Sequence, residues 1–526
     1  MSFTSLNFII FVFAVVLIYY LLPKKAQWVF LLVASYAFYL INGFKTVFYI
    51  IITTLSTYFA GVFINSVREK SAADLSETPD NTDLIKKAAA KKIKSIQTLT
   101  VVFNLGILVV LKYLNFLGGN INSLLGVCGV NFNIPHISLL VPLGLSFYTF
   151  QSLGYVIDIG RGKYKPEKNP AKFALFVSFF PSIVQGPISR FDQIGEQLTA
   201  PRNFDYDNFK FGIQLALWGF FKKLVIADRL SILVTEVFGN YENFRGIEVI
   251  IAIFCYAMQI YTDFSGGVDI SRGVAQMLGI ELPVNFERPY FSKNMTEYWR
   301  RWHITLGSWM RDYVFYPIML SKSFAKIGKK AKKAFGRETG RVIPSALTSF
   351  VVFFLIGIWH GATWQYVCFA LYNAVFISLG MLCKPLFKKL IAFFKINTEC
   401  FSWKLWQIVR TFILFAFAKT LVRAPSLYAG LVMIKRSIFN IHLHLTSERL
   451  FAMGLNTLNI GVSVMGLLVL FVVSLLQENG IKIREKLSEQ NLLFRWAVYI
   501  IFLAIIIIFG IYGPSSSASD FIYKRY

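Results

Sequence analysis

The sequence is short of charge, of acidic residues above all, and of the residues that build soluble catalytic sites. Charged side chains make up 16% of its 526 residues, and Asp plus Glu number 28 against 54 Lys plus Arg. A soluble domain carries about 25% charged residues, so this chain lacks the polar surface to cover a water-facing multidomain enzyme. Five cysteines without a CxxC pair exclude a disulfide framework and a cysteine-based zinc site. No GxxxxGK[ST] loop, GxSxG elbow or HExxH helix occurs, which leaves phosphate-loop hydrolysis, ordinary triad hydrolysis and zincin chemistry without carriers. What is present is apolar: 56% hydrophobic residues, 17% aromatic, 53 Phe, and a mean hydropathy of +0.56. This is the composition of an all-α, multi-spanning membrane protein. In so apolar a chain, the net charge of +26 points away from nucleic acid. It suits anionic lipid headgroups or an acidic cytoplasmic partner.

A bilayer core of about 30 Å takes roughly 20 helical residues to cross. Apolar stretches of that order fall near 4–22, 26–41, 47–66, 99–117, 139–158, 208–227, 248–264, 343–360, 364–383, 405–422, 455–476 and 492–512. That predicts about eleven or twelve spans. The first has no basic n-region and reads as a span, not a cleaved signal. Basic residues at Lys24–Lys25, Arg68–Lys94, Arg161–Lys172, Lys322–Arg341 and Lys384–Lys395 place those segments in the cytoplasm and the N-terminus outside. The loop Arg423–Met453, external in this scheme, carries four basic residues against the rule.

Two regions are neither ordinary spans nor ordinary loops. Phe173–Phe191 is apolar but broken by Pro181, Gly186 and Pro187. Lipid does not tolerate freed backbone groups, so a re-entrant piece packed against protein is expected, with a simple kinked span as the alternative. In Asn294–Pro317, Asn294 and Glu297 resemble a capping box. Behind them Trp299, Trp302, Leu306, Trp309 and Tyr313 form a helical stripe, with Arg300, Arg301 and Arg311 off it and His303 on the border. This predicts one amphipathic helix at an interface or in a cavity.

Of the five histidines, His360 closes the apolar run Phe350–Trp359 and is a titratable group at membrane depth, either functional or hydrogen-bonded for packing. His442 and His444 sit in a loop, as surface residues or a weak metal pair, and His136 carries no signal. Asp263, at the end of an apolar run, faces a cavity or caps a following helix.

Gln259–Pro317 (QIYTDFSGGVDISRGVAQMLGIELPVNFERPYFSKNMTEYWRRWHITLGSWMRDYVFYP), Phe180–Arg190 (FPSIVQGPISR) and Gly357–Trp364 (GIWHGATW) resemble the central block of bacterial membrane-bound O-acyltransferases, most of all the alginate O-acetyltransferase branch. The likeness is dense over 170–375. It implies a bowl-like helical fold around a central pore, with N-terminal membrane helices over 1–170, a catalytic core over 171–383 and C-terminal membrane helices over 384–526. By the family's motifs His360 is the catalytic histidine and His303 lies along the donor tunnel. Arg300, Arg301, Trp302, Trp359, Asp263, Asn285 and Tyr298 are the residues expected to contact substrate. The basic run Lys322–Arg341 and the ending Phe521–Tyr526 (FIYKRY) depart from the family pattern, whose members often end in an aromatic FIYFQF-like tail.

The expected reaction carries an acyl group, acetyl first, from a cytoplasmic thioester to hydroxyls of an extracytoplasmic polysaccharide. The donor is acetyl-CoA or an acyl carrier protein as co-substrate; no tightly bound cofactor and no metal is expected. An external partner acyltransferase is a further expected component. His360 would act as general base, with His303 and Arg300 or Arg301 steadying the donor. D-Alanyl or other acyl transfer to teichoic acid or another envelope polymer is the alternative chemistry, and a transporter or flippase the alternative of another class. The expected location is the bacterial cytoplasmic membrane.

Overall fold

Long apolar runs with few breakers leave one option in lipid, the helix, which satisfies its own backbone. The computed structural model describes residues 2–77, 79–440 and 444–512, so His442 and the FIYKRY ending lie outside the described residues. Among the described residues, eight helices are long and apolar enough to cross a membrane: Phe44–Glu77, Thr82–Val127, Ile247–Met277, Lys322–His360, Trp364–Leu382, Phe401–Arg423, Thr457–Glu478 and Leu492–Phe509. Leu6–Leu21 and Gln27–Ile41 are shorter apolar helices. Their large apolar side chains point outward, as Leu493, Ile500, Ile507 and Ile508 do on the last helix, the pattern of a lipid-facing surface. The chain is a polytopic, all-helical membrane protein.

Besides these two shorter helices, two more of the twelve expected spans differ. In 139–158 the helix begins only at Leu145, because Pro142 offers no donor and Gly144, at φ 70°, sets the turn before it. In 208–227 the α-helix Tyr206–Phe220 gives way to a π-helical stretch, Phe221–Ala227, before Asp228–Gly239. Two lysines within that stretch, Lys222 and Lys223, are described below.

The residues group into two compact units that do not follow the order of the chain: 1–212 with 271–283, and 213–270 with 284–526. In the first, Pro170–Ser178 and Phe180–Ile183 are separated by a bend at Phe179, and the irregular chain runs on to Arg190. From Leu175 to Ser189 every residue is buried in protein. Side chains satisfy the backbone that the prolines free. Ser35 Oγ accepts from Phe180 N at 3.2 Å, Gln151 Nε2 donates to Phe176 O at 2.6 Å, and Ser271 Oγ donates to Pro181 O. The broken segment is therefore a protein-enclosed piece, not a lipid-exposed span.

In the second unit the 39-residue segment Lys322–His360 is not one rod. Gly336 adopts φ 79° and ψ 170°, and the chain folds back there. Gly340 approaches the Lys332 backbone so closely that no Cβ would fit, and Gly328 sits opposite Pro344. The basic stretch is thus the first arm of a helical hairpin, with Lys326, Lys329, Lys330, Lys332 and Lys333 exposed.

Candidate active site

The site is built within the second unit around one side-chain amide. Asn294 caps the short helix Met295–Arg301 by accepting from Glu297 N at 2.9 Å. The Glu297 carboxylate reaches back to Lys293 N at 3.0 Å, one residue earlier than a capping box requires. The predicted continuous aromatic stripe is then interrupted. The helix stops at Arg301 and restarts at Ile304, with His303 between at φ 46° and ψ 53°. His303 accordingly lies at a helix junction, not on the border of a helical face.

A left-handed conformation costs a non-glycine residue about 1–2 kcal/mol, and the neighbouring chain holds it. Phe286 and Trp302 form an antiparallel bridge. Glu287 N donates to Arg301 O at 2.9 Å, and Ile304 N donates to Asn285 O at 3.0 Å. Asn285 Oδ1 accepts from Thr305 N at 3.0 Å and Thr305 Oγ1 at 2.9 Å, and lies 3.2 Å from His303 Nδ1. A backbone N–H can only donate, so the atom is the amide oxygen; His303 Nδ1 then carries the hydrogen and Nε2 is the basic nitrogen. Burial pushes the His303 imidazole down to about 3, and Lys419 nearby adds to the effect. The ring is neutral at ordinary pH.

His360 ends the second arm of the helical hairpin. Two glycines bring the next helix, Trp364–Leu382, against it. A Cβ on Gly357 would strike Tyr366 O and Ala370, and one on Gly361 would strike the Tyr366 ring. That ring instead lies parallel to His360, with centroids 6.0 Å apart at 20°. The Trp359 indole meets both histidines, with ring centroids 5.0 Å from His360 and 5.7 Å from His303. Phe264 covers the other side of His303 at 4.9 Å. Tyr298 stacks on Trp302 at 5.7 Å, and Trp299 Nε1 donates to Asn373 Oδ1 at 3.0 Å, docking the short helix on its neighbour. Both histidines are buried, which excludes bulk water from them.

Of the expected residues, the structure thus gathers His303, Asn285, Tyr298, Trp302, Trp359 and His360. It places three elsewhere. Arg300 is exposed. Arg301 is engaged by Glu478 at 2.9 Å and Glu297 at 2.8 Å, and Arg288 joins the same Glu478 at 2.7 Å. Asp263 lies mid-helix in Ile247–Met277, so it caps nothing, and its carboxylate is 2.6 Å from Lys223 Nζ.

Two features were not singled out from the sequence. Lys222 and Lys223 are buried inside the π-helical stretch; Lys223 bridges Asp263 and Asp228, and Lys222 pairs with Asp269 at 2.7 Å and Ser265 at 2.9 Å. Lys419 is buried among aromatic rings beside the histidines. A lysine inside an apolar run was the available signal in both places.

A sequence model of the membrane-bound O-acyltransferase family matches residues 167–334, which includes His303 and ends before His360. The chain is 30% identical over 429 residues to the "Probable alginate O-acetylase AlgI" of Pseudomonas syringae pv. tomato, covering 81% of this chain and 73% of that protein. It is 29% identical to the peptidoglycan O-acetyltransferase of Helicobacter pylori over 53% and 54% of the two chains. It is 30% identical to the teichoic acid D-alanyltransferase of Bacillus subtilis over 48% and 61%. With a helical, membrane-spanning fold and a paired-histidine site, the chain belongs to the membrane-bound O-acyltransferase family, in its alginate O-acetylase-like branch, and is an O-acyltransferase.

Proposed function

We propose that the protein moves an acetyl group from a thioester on the cytoplasmic side of a bacterial plasma membrane to a hydroxyl of an extracytoplasmic polysaccharide. The observation that carries the reading is the single indole, Trp359, set 5.0 Å from His360 and 5.7 Å from His303 in a buried aromatic enclosure. Two imidazoles so arranged can serve the two ends of one transfer. The names of the alginate- and peptidoglycan-type relatives favour acetate over D-alanine.

In this mechanism His360 takes the proton from the acceptor hydroxyl as its oxygen attacks the thioester carbonyl carbon. The carbonyl π pair moves onto oxygen and a C–O bond forms. Collapse of that intermediate breaks the C–S bond, and the thiolate leaves with the proton returned from His360. The products are an ester and a free thiol. His303, locked with Nε2 as its basic nitrogen, accepts a hydrogen bond from the donor's acyl arm. The aromatic walls keep out water, whose attack would waste the thioester. The donor is acetyl-CoA or an acetylated carrier protein, drawn to the exposed lysines of the hairpin.

The test is release of ester-linked acid from envelope polysaccharide by mild alkali, identified by mass spectrometry. Wild type and His360→Ala are compared at matched membrane abundance. Acetate should be released with wild type and fall by about 10²–10⁴-fold in the variant, the range of a lost general base. Released D-alanine would replace the acetyl assignment, and equal acetate from both would remove His360 from the chemistry.

A further inference from the structure

Lys419 has no part in the mechanism above, and its surroundings ask for one. It lies in the apolar run of Phe401–Arg423 and is only 4% exposed. Its Nζ sits over three rings: Phe369 at 4.5 Å, Phe415 at 5.1 Å and Trp302 at 5.3 Å. These rings also belong to the histidine enclosure. Trp302 immediately precedes His303, and the Phe369 ring is 6.5 Å from that of His360. The ammonium has no carboxylate and no hydrogen-bond acceptor among the described residues, whereas Lys222 and Lys223 share three aspartates.

Cation–π attraction to the three rings compensates the withdrawal of the ammonium from water without replacing the counter-charge that a buried ion ordinarily has. A cation left in that condition is poised for an anion that is present only some of the time. The transfer proposed above would make one within the same aromatic enclosure. We propose that the Lys419 ammonium receives the negative charge that develops on the acyl carbonyl oxygen during transfer, and is in that sense a catalytic residue. The inference rests on the acyl-transfer reading. No proton moves to or from Lys419. The π pair that shifts onto oxygen is held by the protonated form of the lysine and returns to the carbonyl as the C–S bond breaks. In a dry aromatic setting such a charge acts with little screening and without reorganising at the moment of reaction.

The test uses the full-length protein in proteoliposomes. Acetyl-CoA and acetylated acyl carrier protein are supplied separately, with a neutral and a uronate-containing oligosaccharide as acceptors. Lys419→Met keeps the side-chain length and removes the charge; Lys419→Gln is the second variant. The expected result is a kcat about 10²–10³-fold lower with both acceptors, KM values within about threefold of wild type, and a melting temperature equal to or above wild type. The last readout separates this role from a structural one, since removing an unpaired buried charge relieves the fold. An unchanged kcat would overturn the inference. So would a KM rise confined to the uronate acceptor, which would make Lys419 a binder of acidic sugars. Loss of membrane abundance or a lower melting temperature in either variant would make it a structural lysine. Wild-type protein that transfers acetate while Lys419→Met does so equally well removes this inference alone; wild type that transfers nothing removes the acyl-transfer reading with it.

Discussion

Asn285 Oδ1 and His303 Nδ1 lie 3.2 Å apart, and the amide that fixes the imidazole tautomer also closes the loop that carries the imidazole, through Thr305. Orientation of the ring and integrity of the loop therefore depend on one atom.

Replacing that atom separates the two roles. Asn285→Leu removes the acceptor that the Thr305 N–H and hydroxyl share, and each lost hydrogen bond costs about 0.5–1.5 kcal/mol. Melting temperature and turnover should fall together. Asn285→Asp keeps an acceptor but adds a negative charge. A carboxylate beside an imidazole favours the protonated ring, so the His303 pKa rises from about 3. Because His303 works as a neutral ring, the acid limb of the pH–rate profile should move to higher pH in Asn285→Asp. A limb that stays in place would show that His303 need not be neutral.

The left-handed backbone at His303 predicts an order among substitutions. Asn tolerates φ 46° better than other non-glycine residues, whereas a β-branched side chain does not. His303→Asn should melt near wild type and be inactive. His303→Val should be inactive and also about 1–2 kcal/mol less stable, read from chemical or thermal unfolding in detergent. Equal stability of the two would contradict the backbone argument.

Lys223 and Asp263 are each about 1% exposed and 2.6 Å apart. Removing one partner of a buried pair costs about 3–5 kcal/mol. Lys223→Met, which strands Asp263 and Asp228 together, should reduce membrane abundance more than Asp263→Asn, which leaves Lys223 its second partner. Turnover per folded molecule should change little in Asp263→Asn. A selective rise in KM there would return Asp263 to the substrate site.

The exposed lysines of the hairpin predict a salt-dependent effect. Replacing Lys326, Lys329, Lys330 and Lys333 with Gln should raise KM for the anionic donor at low salt and leave kcat unchanged. Near 1 M salt, where the screening length is about 3 Å, the difference should vanish. A KM unaffected at low salt would assign this arm to something other than donor capture.

Much of this was legible from hydropathy and motifs because both are local. The spans and the broken segment around Pro181 follow from runs of residues close in sequence, whereas a shared site for His303 and His360 was implied only by the family resemblance. What was not legible depends on distant partners. Nothing in WRRWH itself says that the helix stops at Arg301; the stop is imposed by Asn285–Glu287, some sixteen residues earlier. The periodic stripe was real as composition, and the junction rotated its second half. Likewise Arg301 looked available beside two neighbours of functional type, but Glu478 claims it from a helix more than a hundred residues away. Asp263 could not be assigned without the lysines it faces. The fold-back at Gly336 was hidden because a glycine within a lysine-rich stretch reads as helix, turn or loop alike.

The π-helical stretch Phe221–Ala227 has one more implication. Winding in which hydrogen bonds skip five residues instead of four holds an additional residue per turn, so the chain after it is out of phase with the chain before it. Lys222 and Lys223, adjacent within it, reach different aspartates, Asp269 for one and Asp263 with Asp228 for the other. Adding or deleting a residue that this wider winding cannot absorb would turn everything downstream by roughly 100° and carry the buried side of Asp228–Gly239 off its contacts. This short stretch should therefore accept side-chain exchange far more readily than any change in length, a constraint of reading frame in three dimensions.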